Sequence, residues 1–534
     1  MWAYLGTTCI HMGIERQRRG YCMQAKTKTV PYEFFDPVYS GSCETPIDTE
    51  FNLPDYCPDI QKLLKCRAVP EVSSYMISGD TLTVDGVMDV RVLYLDGKGD
   101  CVRCAEFTKE FTQSVKLKSA EEKAVACVQA SVLHMTCRAV SARRVDLHAA
   151  VSLQILAVVQ KKERVTTDLE EESIEKRGRA FPAHQAVNAV CHQFTIEDHL
   201  PLKNGKPPIE SILRRDVCCR VTESRLSEER LTVSGVADVA FLYASAMDNT
   251  VLEKMTASVD FSQIIDCAGA EEGCVCDLRV VTGECSLTPK EDDVGENTGV
   301  SVVVKVFLLA FLYKACEVEM IDDAYSVDCP LELRYSQSAF TQIHGVHTEV
   351  LKKKCSLQVS GEEITKVLDL WCQQDSVQSA CDKGKLTYRV KYTMCLLYGN
   401  SQGRILYVEK QFDHTFTTEL SDMEPGKSQT SAHTDVWEYR ITDKNTVEIS
   451  AETAATTLLY SAHTVKYLVS AGSDENAPGF EKRSRFLLYY AQAGEKLWDI
   501  AKSRRARLGD LRAQNDLYED TVPEARALII TNKG

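Results

Sequence analysis

The sequence predicts a mainly β protein: three tandem β-sandwich or open-barrel modules, each with a short helix, followed by a small C-terminal βααβ domain. Three observations predict it. Segments 60–94, 209–243 and 364–398 align without a gap at offsets of 149 and 155 residues. Each contains a thirteen-residue run, 82–94, 231–243 or 386–398, whose apolar positions alternate in one phase. From residue 486 onward the pattern changes to strand, helix, helix, strand.

In each repeat the opening element is an apolar triplet: Ile60, Leu63, Leu64; then Ile209, Ile212, Leu213; then Ile364, Val367, Leu368. Spacing of i, i+3, i+4 marks one helix face, so a short helix is expected to start each repeat. Pro58 and Pro207-Pro208 precede the first two, and Glu362-Glu363 the third, which suits a helix N-terminus. The long run follows as a strand. Leu82, Val84, Met88, Val90, Val92 and Tyr94 point inward, and Thr83, Asp85, Asp89 and Arg91 point to solvent. A one-residue slip would expose the whole apolar set, so a phase kept in three copies is informative.

Turns rich in Gly and Asn come next, at 96–99, 245–249 and 399–403, each followed by a second strand. Further β-like runs begin at Val145, Val300 and Val447. The domain plan is an extension over 1–29, modules over 30–165, 185–332 and 335–470, a Ser/Gly/Pro linker over 471–485, and the last domain over 486–532. Residues 161–179 are charged and without period, and 287–299 has the composition of a hairpin insertion. Met23 is an alternative start: Arg18-Arg19, if encoded AGG-AGG, would make a ribosome-binding core before it.

A chain of 534 residues has room for three or four domains, and 44% apolar with 26% charged residues fits globular protein. A net charge of −15 disfavours nucleic-acid binding by the chain as a whole. The 22 cysteines are spread over every module, which points to a reducing cytosol rather than a disulfide framework. No basic and apolar leader opens the sequence. The longest apolar run, 300–313, is short for a bilayer crossing and holds Lys305, so a buried strand is expected and no membrane insertion.

No enzyme motif emerges. Cys101 and Cys104 form a C-x-x-C with no second pair at zinc-finger spacing. There is no H-E-x-x-H, phosphate loop, G-x-G-x-x-G or G-x-S-x-G. Asp85 and Asp89, four apart on a strand, would stand about 13 Å apart, too far for glycosidase chemistry, and read as a solvated face. No metal, no cofactor and no catalysis are expected.

The C-terminal domain reads as a strand over 487–492, a turn at Gly494, a helix with Leu497, Trp498, Ile500 and Ala501 inward, a second helix with Leu508, Leu511 and Ala513, and a strand over 527–531. With Tyr490, Asn515, Leu517 and Leu528-Ile529-Ile530, this pattern resembles the LysM family over the whole domain. That resemblance implies a shallow groove between two loops, here Gly494, Glu495, Lys496 and Leu497 facing Asn515, Asp516, Leu517 and Tyr518. The family's usual ligand is an N-acetylglucosamine polymer. Here Lys496 replaces the small hydroxyl residue, and Pro523-Glu524-Ala525 replaces Pro-Gly-Gln. Glycan binding, protein binding and a folded cap without ligand therefore stay open. The basic run Lys502, Arg504, Arg505, Arg507 is either a solvated turn or a contact for an acidic partner.

Residues 53–64 (LPDYCPDIQKLL) and 80–95 (DTLTVDGVMDVRVLYL) resemble the SPOCS domain of spore-coat-associated proteins. Leu200-Pro201 and Pro208-Ile209 keep part of that pattern in module two; module three keeps only its periodicity. SPOCS modules ending in LysM resemble SipL-type clostridial coat-assembly proteins. The resemblance implies a non-enzymatic adaptor made in the mother-cell cytosol, sitting at the forespore surface, and binding a coat morphogenetic ATPase through LysM as well as other coat proteins. The rival expectation is a peptidoglycan- or chitin-type glycan-binding protein of the spore cortex or cell wall.

Overall fold

A computed structural model describes residues 25–99, 101–120, 123–203, 205–361, 363–420, 426–473 and 486–531. The extension up to residue 24, with Met23, and the linker from 474 to 485 lie outside the described residues.

Three six-stranded modules follow one plan. Module 1 has β1 (Lys26–Asn52), β2 (Ile60–Ser78), β3 (Thr81–Asp96), β4 (Val102–Lys116), β5 (Val125–Ser141) and β6 (Arg144–Glu170). Module 2 has β7 (Ile174–Pro201), β8 (Ile209–Ser227), β9 (Arg230–Ser245), β10 (Leu252–Asp266), β11 (Val275–Glu291) and β12 (Asn297–Ser326). Module 3 has β13 (Leu331–Gln358), β14 (Ile364–Asp382), β15 (Lys385–Asn400), β16 (Ile405–Glu419), β17 (Lys427–Asp443) and β18 (Thr446–Ser473). Each folds as two three-stranded antiparallel sheets, ordered β1-β6-β5 and β2-β3-β4 in module 1 and likewise in the others. The two sheets face each other across a core, and their edges approach at β2 with β5 and at β1 with β4.

The alternating runs form the middle strand of the second sheet in all three modules. Leu82, Val84, Met88, Val90, Val92 and Tyr94 are buried in the first core. Tyr94 donates to Pro58 O at 3.1 Å, and Tyr243 to Pro207 O at 3.0 Å, so one latch recurs in two modules. The run 300–313 lies in β12, with Val300, Val302, Val304, Val306 and Leu308 buried.

The short helices expected at Ile60, Ile209 and Ile364 are not there. Those residues open β2, β8 and β14, paired with Asp96, Ser245 and Asn400. The reason is a double β-bulge. In β2 the register slips between Ile60 and Lys62 and again between Leu63 and Lys65, and β8 and β14 slip at the matching places. Each extra residue inverts the inward–outward alternation. Ile60 and Leu63 thus both face the core, while the bulge residue Leu64 faces out. Two bulges in a strand covered on both faces produce the same i, i+3, i+4 spacing as a helix.

Leu64 and Leu213 are buried where the three modules meet, and Leu368 packs on them, with Leu93, Leu242 and Leu397 from the middle strands and Val102, Leu252 and Ile405 from the third strands. Equivalent positions of three modules therefore form one cluster. The contacts run in a cycle, β4 on β8, β10 on β14, and β16 on β2, so the chain closes into a pseudo-threefold ring. The long outer strands continue past the sandwiches as three two-stranded ribbons. These pack together through Tyr32, Val165, Val318, Met320, Phe340 and Tyr467. Residues 161–170 and 174–179, although charged and without period, lie in the ribbon strands β6 and β7.

Gly86 lies under the Phe111 ring, and Gly235 under Phe261. A Cβ at either would stand 2.3 Å from the ring tip and within 2.8 Å of a backbone oxygen. Gly86→Ala is expected to lower stability by about 1–3 kcal/mol through overpacking. Denaturant unfolding of the full chain measures it, and an unshifted midpoint would contradict the close approach. In module 3 the matching pair is Val390 and His414.

Candidate functional site

Four elements build the C-terminal domain: β19 (Phe486–Ala491), α1 (Leu497–Arg504), α2 (Leu508–Asn515) and β20 (Arg526–Thr531). The strands pair antiparallel, and the helices cover one face of the ribbon through Leu497, Trp498, Ile500, Leu511, Leu528 and Ile530. Neither helix has a side-chain N-cap, and both end in the left-handed region, at Arg505 and Asp516. Lys502 and Arg504 occupy the last turn of α1, where cations oppose the negative helix end.

Backbone bonds zip the first candidate loop to residues 520 and 522, just beyond the second. Gly494 N donates to Val522 O at 2.8 Å, Val522 N to Glu495 O at 2.9 Å, and Leu497 N to Asp520 O at 2.9 Å. Gly494 has a φ of +86°, which favours glycine. The candidate residues then divide. Leu497 and Leu517 are core. Asn515 is buried with its amide saturated: it donates to Leu511 O and Ile529 O, each at 2.8 Å, and accepts from Ile529 N at 2.7 Å. These three hold the loops in place. Gly494, Lys496, Asp516 and Tyr518 are open to solvent, Tyr518 being 90% exposed. Glu495 is half-buried and accepts from the Tyr489 hydroxyl at 3.0 Å, a bond that raises the Tyr489 pKa. Arg504 lies 5.0 Å over the Tyr489 ring, Arg505 is half-buried, and Arg507 is exposed.

Sequence reasoning missed a docking contact. The far side of α1 sits against the end of the β12 ribbon. Asp323 accepts from Trp498 Nε1 at 2.8 Å and from Lys502 Nζ at 2.6 and 2.7 Å. Tyr325 donates to Ala506 O at 2.7 Å and meets the Trp498 ring edge-on at 5.1 Å, while Arg177 lies 5.4 Å over that ring. Burial pushes the Asp323 carboxyl up, but Lys502 and the indole N–H outweigh it and hold it below the usual carboxylate range. The domain is thus seated on module 2, and the open loop residues are not part of that contact. An acidic pair in a strand gave no sequence signal for it.

A second polar site lies between modules 1 and 2. Asp89, expected on a solvated face, is only 6% exposed. It accepts from Arg91 Nε at 3.1 Å and pairs with Arg215 at 3.1 Å, because module 2 covers that face of β3. Asp85 is exposed. Asp89, Arg91, Glu71, Arg215, Arg67 and Asp216 line a cleft of about 170 Å³. Each arginine there already has a carboxylate partner, so the cleft reads as an interface network. Burial pushes the Glu71 carboxyl up against the opposing pull of Arg215.

Among the described residues no helix is long and apolar enough to cross a membrane. Two segments of the chain, residues 59–140 and 208–289, match the family model described as SipL, SPOCS domain. Both matches run from the loop before the second strand into the fifth, so they fall on equivalent parts of modules 1 and 2. No curated protein and no solved structure matches the chain. The family match supports the SPOCS part of the sequence reading and a sporulation-related protein-interaction role.

Proposed function

We propose that the chain is a non-enzymatic spore-coat assembly adaptor, working in the mother-cell cytosol at the forespore surface. The observation that carries this reading is the pair of SPOCS-family matches on equivalent parts of two modules. The closed ring supports it too, because it holds three fused modules on one scaffold. The C-terminal domain would be a second contact, binding a coat morphogenetic ATPase through Lys496, Asp516 and Tyr518. Its seat on module 2 would fix the separation of the two contacts, and linked weak contacts outperform either alone.

Full-length protein carrying Tyr518→Ala with Lys496→Glu should lose at least tenfold in affinity for the coat ATPase, while its unfolding midpoint stays unchanged. Retained ATPase binding would remove these loops from the reading. Binding of chitin-type oligomers or peptidoglycan by the wild type, with no ATPase binding, would replace the adaptor with a glycan-binding protein of the cortex or cell wall.

A further inference from the structure

Three histidines meet where the long outer strands of modules 2 and 3 pack together. His184 of β7 is half-buried, and Ile343 N of β13 donates out of its own sheet to His184 Nδ1 at 3.1 Å. His344 follows as the extra residue of the bulge between Ile343 and Gly345, and its Nε2 lies 3.1 Å from Ser461 Oγ of β18. His463 Nε2 stands 3.1 Å from the same buried hydroxyl, and the Phe181 ring of β7 meets the His463 ring edge-on at 5.5 Å. Module 1 reaches this point too, through Tyr32, which donates to His184 O at 3.1 Å.

A backbone N–H only donates, so His184 Nδ1 carries no proton and the ring is neutral, protonated at Nε2. A second proton can enter only at Nδ1. Two N–H groups would then oppose each other, and the bond to Ile343 would be lost. The Ser461 pair adapts: its hydroxyl donates to one imidazole and accepts from the other, and it can accept from both when both are charged. His184 is therefore the member of the cluster that cannot charge without breaking a contact between modules.

The surroundings do not favour the charged ring. The histidine ion pairs among the described residues are those of His148 and His347, so no carboxylate pairs with these three imidazoles. The facing group on β13 is His344. On β18, His463 is joined by Lys466, which lies 4.0 Å over the Tyr335 ring. On β12, burial pushes the Cys316 thiol up, and Lys314 pairs with Glu271 at 2.6 Å. On β6, Glu163 is taken by Ser338 and Tyr467 at 2.5 Å each; on β1, Glu33 is taken by Lys162 at 3.1 Å and Tyr32 is a neutral phenol. On β7 itself, Arg179 lies 5.9 Å over the Phe181 ring. Burial and the neighbouring His344 accordingly hold the His184 pKa below the ordinary imidazole value.

We propose that His184 is a pH-responsive clasp that holds the outer strands of module 2 on module 3 at neutral pH and releases them on mild acidification, with the core of each module left folded. The clasp is fully formed above the unfolded imidazole value of about 6.5 and is lost as the pH falls through the lower folded value. Asp323 and Asp369 titrate below the ordinary carboxylate range, so their acid response is separable from this one.

The test follows the full chain from about pH 7.5 to about pH 5 with two mass-spectrometric readouts on the wild-type protein. Amide hydrogen exchange, corrected for its intrinsic pH dependence, is expected to rise about tenfold at Ile343 and around His184, while the buried runs 300–308 and 386–398 stay protected. Exchange of the histidine C2 hydrogen titrates His184 and should give a midpoint below about 6.5 that coincides with that rise. His184→Asn, whose Oδ1 can accept from Ile343 N without titrating, should keep its protection to the acid end. Three results would overturn the proposal: unchanged protection at Ile343 over the whole range, a His184 midpoint at about 6.5 or above, or a rise that persists in His184→Asn. The first two need no variant and decide the matter if the substitution unfolds the chain.

Discussion

Asp369→Ala is expected to lower the unfolding free energy of the full chain by about 3–5 kcal/mol, because it takes from the buried Arg214 its closest carboxylate. The Asp369 side chain is 0% exposed and Arg214 3%. Asp369 accepts from Arg214 Nε at 2.6 Å and pairs with Lys254 Nζ at 3.1 Å, joining module 3 to module 2. Arg214 also lies 4.8 Å over the Trp371 ring. Denaturant unfolding with matched m-values measures the effect. The double replacement Arg214→Met with Asp369→Leu should cost much less, since the charges it leaves are not stranded: the partly exposed Lys254 keeps its bond to Leu370 O, and Asp216 keeps its pair with Arg67. Burial pushes the Asp369 carboxyl up, yet Arg214 and Lys254 hold it below the usual range. With its folded pKa depressed, Asp369 contributes stability that is present above the unfolded carboxylate value of about 3.9. That contribution is lost as the pH falls through the folded pKa. Asp369→Ala should therefore flatten the acid limb of the stability profile.

Asp323→Ala is expected to unseat the C-terminal domain. It removes the acceptor of the Trp498 and Lys502 bonds, leaving a buried indole N–H without its acceptor and the partly exposed Lys502 ammonium without its carboxylate. Hydrogen bonds to a charged group contribute about 1.5–3 kcal/mol each, so the docking equilibrium constant should fall at least tenfold. Small-angle scattering of the full chain would report a larger radius, and hydrogen exchange would rise at Tyr325 and Val327 while α2 stays protected. The same carboxyl predicts docking that weakens as the pH drops below the ordinary carboxylate range. An unchanged radius together with unchanged exchange would mean that the apolar contact of Tyr325 with Trp498 suffices.

The alternating strands were legible because period-two burial is a local property, written into Leu82 to Tyr94 and their two copies. The βααβ order after residue 486 was legible for the same reason. The second strand was not. Leu64, Leu213 and Leu368 take their meaning from a bulge, and from neighbours 149 and 155 residues away that cover the outer face. Asp89 misled for the same reason: a polar residue in an alternating strand looks solvated until another module closes over it with Arg215. At the candidate site, pattern matching named the loops but could not sort Leu497, Asn515 and Leu517, which hold them, from Lys496, Asp516 and Tyr518, which face outward. The seat on Asp323 needed the third dimension outright.

Ring closure joins residues from the two ends of the repeat array, and Lys65 of module 1 meets Glu409 of module 3 in an ion pair. A zero-length carbodiimide reagent converts such a contact into an amide, which peptide mass spectrometry identifies. The closed ring predicts a Lys65–Glu409 crosslink within one chain, formed alongside the intramodular Lys162–Glu33 pair, whose atoms lie 3.1 Å apart. A Lys162–Glu33 product with Lys65 joined to nothing in module 3 would mean an open string of modules and contradict the ring.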